Sequence, residues 1–177
     1  MPSPHPLLSF VLALPLLAAC SPTFNWRSVP VDGTPLEALM PCKPDAGERE
    51  VPLGGLPTRL QMRSCETGGL TFALAWADVG DAVRVPPSLS GWRRASLAGV
   101  RVDVARVDEP AVQWVVQVPG AEQSLGLQVT GVDPQGGSVD MRAVHFTHGS
   151  VVFQAAVYGQ RMDAAALAAF VDGLRLP

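Results

Sequence analysis

Polar and apolar positions along the chain switch between two periods, and the switches mark out its elements. Residues 7–19 form an apolar run interrupted only by Ser9 and Pro15. Beyond it, 26–31 and 36–40 read as short extended pieces around Asp32-Gly33-Thr34-Pro35, a turn in which glycine supplies the conformation that other residues resist. Residues 41–47 carry two prolines that each remove a backbone donor, so a loop is expected there, with an edge strand over 48–53. Leu60, Met62 and Ser64 alternate with Gln61, Arg63 and Cys65, and 70–76 is apolar throughout. Glu66-Thr67-Gly68-Gly69 between them predicts a hairpin turn. A strand apolar on both faces belongs inside a sheet that is covered on each side.

The middle of the chain carries both periods. Leu89, Trp92, Ser96, Val100 and Val104 recur at helical spacing, whereas Val100, Val102 and Val104 alternate as a strand would. Pro86-Pro87-Ser88 suits a helix start, and the length of the segment favours a helix over 87–106, with Arg93, Arg94 and Arg101 off the apolar stripe. Gly91 and Gly99 oppose it by about 1 kcal/mol each. Four strands follow, over 113–118, 124–132, 138–147 and 150–158, the last three forming a meander with Val144 and Phe146 on one face and Ala143 and His145 on the other. A closing helix over 163–173 has Asp163 to cap it, and Leu167, Phe170, Val171 and Leu174 on one side. The expected fold class is α+β: an antiparallel sheet of six to seven strands with a central helix and a C-terminal helix packed on it.

The apolar run changes the picture of where the domain resides. Roughly 13 residues is short of the about 20 that a helix needs to cross a bilayer, and matches the apolar core of an export signal. Its end, Leu17-Ala18-Ala19-Cys20, resembles the lipobox of bacterial lipoproteins, although Met1 to Pro6 lacks the usual positive charge. That resemblance implies cleavage after residue 19, a diacylglycerol on Cys20, a short tether over 20–25 and a single domain over 26–177. Ser21 beside the anchor resembles the outer-membrane sorting signal, since Asp there is the usual retention mark. A periplasm-facing, lipid-anchored protein is therefore expected, with the membrane engaged through Cys20 and an envelope protein as partner.

A formal net charge of −3, with no basic tract, argues against nucleic acid as a partner. With Cys20 acylated, Cys42 and Cys65 remain, and in an exported chain that pair reads as a disulfide. Neither belongs to a Cys-x-x-Cys motif, so a metal or redox pair is the weaker reading.

The order of elements is similar to that of the PsbP-like fold of small exported and lumenal proteins. It is carried by an extended Pro-rich segment (LMPCKP), a hairpin (LQMRSCETGGLTFALAW), a helix (SLSGWRRASLAGV), a meander (SVDMRAVHFTHGSVVFQAAVYG) and a closing helix (DAAALAAFVDGLRLP). Members of that fold act mainly as binding or assembly accessories, and the resemblance supplies no catalytic residues.

Candidate chemistry is sparse. His145 and His148 lie three apart and so point to opposite faces of a strand, and Asp140 differs from His145 in the same way, which disfavours a shared metal ion. These histidines are expected at the solvent or the edge of the core. No Gly-x-Ser-x-Gly elbow or phosphate loop is present. The expectation is a non-enzymatic accessory without cofactor; the alternatives are a carrier or sensor of an apolar molecule held between sheet and helix, and a minor hydrolase. Trp76 and Trp92 are expected in the core, and Trp26 either there or against lipid or a partner.

Overall fold

A computed structural model describes residues 22–177. The apolar run, Cys20 and Ser21 lie outside the described residues. Nine strands and two helices occur in the order β1 (Arg27–Val29), β2 (Ala38–Met40), β3 (Asp45–Leu53), β4 (Leu56–Thr67), β5 (Leu70–Asp78), α1 (Val85–Gly99), β6 (Gln113–Trp114), β7 (Gln123–Val132), β8 (Ser138–His148), β9 (Val151–Gly159) and α2 (Ala164–Asp172). The fold is α+β. Seven strands form one antiparallel sheet in the order β3-β4-β5-β9-β8-β7-β6, while β1 and β2 form a separate two-stranded ribbon.

Register explains how each face is filled. Because side chains alternate across a strand, Phe72, Leu74 and Trp76 of β5, Val144 and Phe146 of β8, and Phe153 and Val157 of β9 share one face, where they meet Phe170 and Leu174 in one core cluster. Phe72 and Phe170 pack edge to face at 5.4 Å, and Phe146 stacks on Phe153 at 4.9 Å. The ribbon and α2 cover this face. The segment after α2 completes it: Leu174 and Leu176 are buried, and the backbone of Arg175 exchanges two hydrogen bonds with Glu37 of the ribbon. A disulfide joins Cys42 to Cys65, tying the chain after the ribbon to β4 with the two Cα atoms 6.0 Å apart.

The opposite face carries α1, whose inner residues divide the core in two. Val85 and Trp92 pack with Leu60, Ala75 and Ala77, whereas Leu97 and Val100 pack with Leu127, Met141 and Ala143. The interior strand β5 is thus covered on both sides, as its apolar run predicts.

Three expectations are corrected. The helix expected over 87–106 runs from Val85 to Gly99 and stops; Arg101 takes a positive φ of 56°, and Asp103 caps a separate 3-10 turn, Val104–Asp108, by accepting from the Ala105 N–H. The alternation of Val100, Val102 and Val104 therefore reflects an abrupt helix end and a new turn. Arg93, placed off the apolar stripe, is buried, because the stripe at 89, 92, 93, 96, 97 and 100 is wider than the sequence suggests. Its guanidinium reaches the Val107 carbonyl at 3.0 Å. The strand expected over 113–118 shortens to two residues; beyond Trp114 the chain leaves the sheet and Val115 is fully exposed. Thr23 and Phe24 are seated on the β4–β5 turn, and residues 20 and 21 of the expected tether lie outside the described residues.

Candidate functional site

An open cleft of about 1260 Å³ runs beside the second half of α1. Its wall is the helix flank at Trp92, Ser96 and Val100, and its floor is the sheet face at Thr71, Gln154 and Tyr158. The β4–β5 turn at Gly68-Gly69, the β7–β8 turn at 133–135 and the chain leaving β9 at 160–163 form its rim. Antiparallel pairing brings these three distant segments to one end of the sheet. Glycine is required at position 68, where φ is +61° and a Cβ would lie 2.8 Å from the Phe24 ring.

The base of the cleft rests on a buried polar cluster. Gln154 on β9 faces Ser96 on α1 and its cross-strand neighbour His145 on β8. The Gln154 amide nitrogen lies 2.6 Å from Ser96 Oγ and 2.9 Å from His145 Nε2. Ser96 Oγ donates to the Trp92 carbonyl at 2.9 Å and lies 3.1 Å from His145 Nε2. His145 is fully buried, with the Trp92 ring edge-on at 6.1 Å. Burial, and then the nearby Arg93 cation, lower its pKa to about 3, so it is neutral at physiological pH. A neutral imidazole that accepts at Nε2 carries its proton on Nδ1, which has no partner.

This arrangement sets the direction of the Gln154 amide. The amide nitrogen faces Ser96 and His145, and the carbonyl Oε1 has no protein partner and is not among the buried unpartnered atoms, which leaves it as an accessible acceptor on a residue that lines the cleft. Tyr158, on the same face of β9, has its phenol pKa raised by burial and remains protonated. Arg49 and Arg161 line the cleft and take part in none of the ion pairs among the described residues. The lining carboxylates are engaged locally: Asp133 accepts from the Gly137 N–H at 2.7 Å, and Asp163 caps α2 by accepting from Ala165 and Ala166.

The sequence-predicted residues are dispersed. Cys20 lies outside the described residues, and Cys42 and Cys65 are joined on the far side of β4 from the helix α1. His145 was expected at the solvent or core edge and is instead in the interior, a correction that follows from the cover α1 gives to β8. His148 and Asp140 lie apart from it, Asp140 accepting from Thr130. Among the described residues, no group of three His, Cys, Asp or Glu side chains is placed to hold a metal ion. Trp76 and Trp92 are in the core, Trp76 donating to the Asp32 carbonyl at 3.1 Å; Trp26 is half-buried against Phe72. The cleft residues were missed. One signal pointed to them: Ser96 and Gln154 are polar residues at inward positions of two facing apolar elements.

No protein-family profile matches the chain, and no curated protein matches it. The chain is similar to a protein from Bacteroides thetaiotaomicron VPI-5482 whose crystal structure was determined at 1.50 Å, with a TM-score of 0.43 and 12% identity over 81% of this chain and 45% of that one. It thus spans less than half the length of that protein.

Proposed function

We propose that this protein is a non-enzymatic binding accessory of the bacterial envelope, of PsbP-like architecture, acylated on Cys20, sorted to the outer membrane and facing the periplasm. The cleft beside α1 is the surface with which it engages its ligand or partner. The observation that carries this reading is the cleft itself, a wide concavity where a helix flank, a sheet face and three connecting segments converge, with arginines and amides on its lining and a polar cluster at its base.

The hydrolase alternative is disfavoured by the chemistry of the Ser96–His145 contact. An imidazole with a pKa of about 3 is a poor general base at neutral pH, and its Nε2 already accepts from Gln154. A purely apolar carrier is disfavoured by the arginines and amides of the lining.

Two measurements in cells test the proposal. Radiolabelled palmitate enters the wild-type product and not Cys20→Ala, and a photo-crosslinking residue at Gln135, on the cleft rim, gives a discrete adduct where one at Ala168, on the outer side of α2, gives none. Absence of label from the wild type removes the anchor, and identical crosslinking from both positions removes the cleft.

A further inference from the structure

We propose that the cleft takes the headgroup of an anionic, hydroxyl-bearing phospholipid from the membrane to which the domain is tied. The inference rests on the reading above and names the ligand class of the same site.

Proximity supplies the first argument. The Thr67 hydroxyl donates to the Thr23 carbonyl, and the Phe24 ring lies over Gly68, packed against Trp26 at 6.1 Å and Phe72 at 6.2 Å. The chain is therefore fixed to the β4–β5 turn from Thr23 onward. Only Ser21 and Pro22 separate Thr23 from Cys20, and three residue steps span at most about 10 Å. An acylated Cys20 holds this turn against the bilayer surface. Gly68 and Gly69 of the turn are also rim residues of the cleft. The cleft thus opens next to the headgroup layer, and lipids of that layer are the solutes present there at the highest local concentration.

Charge and hydrogen-bonding direction define which headgroup. Arg49 and Arg161 are exposed cations on the lining, and each is available for charge-assisted bonds to a phosphate. Asp133 and Asp163 oppose them less than their number implies, since backbone N–H groups already neutralise part of their charge. Gln154 Oε1 on the floor demands a donor. A phosphodiester carries no donor for it; a headgroup hydroxyl does. The protonated Tyr158 phenol on the same strand adds a group able to donate or accept. An anion at the arginines together with a hydroxyl at Gln154 describes a polyol phosphate. The flank of α1 at the exposed Ala95 and Gly99, over the buried Trp92 and Val100, then receives the first acyl carbons.

The test is calorimetric titration of the purified mature protein with short-chain phosphatidylglycerol, short-chain phosphatidylcholine and free glycerol phosphate. The expected result is saturable one-to-one binding of phosphatidylglycerol, with phosphatidylcholine and glycerol phosphate each weaker by about tenfold or more. Arg49→Ala combined with Arg161→Ala, both at exposed positions, weakens phosphatidylglycerol by a similar factor with an unchanged unfolding midpoint. The paired Lys substitutions restore part of it, and Gln154→Met removes the preference for the hydroxylated headgroup. Equal binding of phosphatidylcholine, or full affinity in the arginine variant, overturns the proposal; glycerol phosphate binding as tightly as the lipid overturns its membrane origin. None of these titrations depends on acylation, so failure of palmitate labelling and failure of headgroup binding are separate results.

Discussion

Lowering the pH from 7 to 5 should destabilise the domain by about 2 kcal/mol through one residue, His145. In the native state its pKa is about 3, against an ordinary value of 6.5. Below pH 6.5 the unfolded chain therefore takes up a proton that the folded chain refuses. Stability from this group is complete above the unfolded value and falls as the pH drops toward the folded one. The slope in that window is about 1.4 kcal/mol per pH unit, so the loss is about 2 kcal/mol by pH 5 and about 4 kcal/mol by pH 3, where the folded histidine begins to take up its own proton. The burial of the imidazole beneath α1 is complete, and the Arg93 cation beside it opposes a second positive charge. The assay is urea unfolding followed by tryptophan fluorescence at both pH values, for the wild type and for His145→Leu. The variant is less stable at pH 7 by about 1–3 kcal/mol, because one Gln154 N–H loses its acceptor, yet it loses little more on going to pH 5. Equal wild-type stability at pH 7 and pH 5, or the same acid loss in the leucine variant, would refute the reasoning.

Two further outcomes follow from the other face of the sheet. Replacing Cys42 and Cys65 together by alanine removes the cross-link between the post-ribbon loop and β4 and lowers stability by about 3 kcal/mol, read as a shift of the urea midpoint. Phe170→Ala leaves a void against Phe72 in the fully buried cluster and costs about 3–5 kcal/mol, measured in the same way.

Much of the architecture was legible because single residues declare it. Gly68-Gly69 announces the β4–β5 hairpin, Asp163 marks the start of α2, and the alternation of Val144 and Phe146 against Ala143 and His145 assigns the faces of β8. The end of α1 was not legible, since Val100 belongs equally to a helical stripe and to a strand-like alternation; the positive φ at Arg101 is set by the backbone turning back, with the Val102 N–H donating to the Leu97 carbonyl. Arg93 escaped because a buried arginine depends on a carbonyl fourteen residues away, at Val107. The segment at 115–118 has strand composition but leaves the ladder after Trp114, and meets β7 again through a side chain, the Val118 N–H donating to Ser124 Oγ at 3.1 Å. The cleft escaped for a topological reason: its rim is drawn from three turns that only the strand order β5-β9-β8-β7 brings together.

The antiparallel bridge between Glu37 and Arg175, with Leu174 and Leu176 buried beneath it, makes the earliest and latest described segments seal one common layer. A polypeptide emerging amino-terminus first cannot shut that layer until residues 174–176 have cleared the exit. Closure over the aromatic cluster is consequently a late step, reached only once nearly the whole chain has been synthesised.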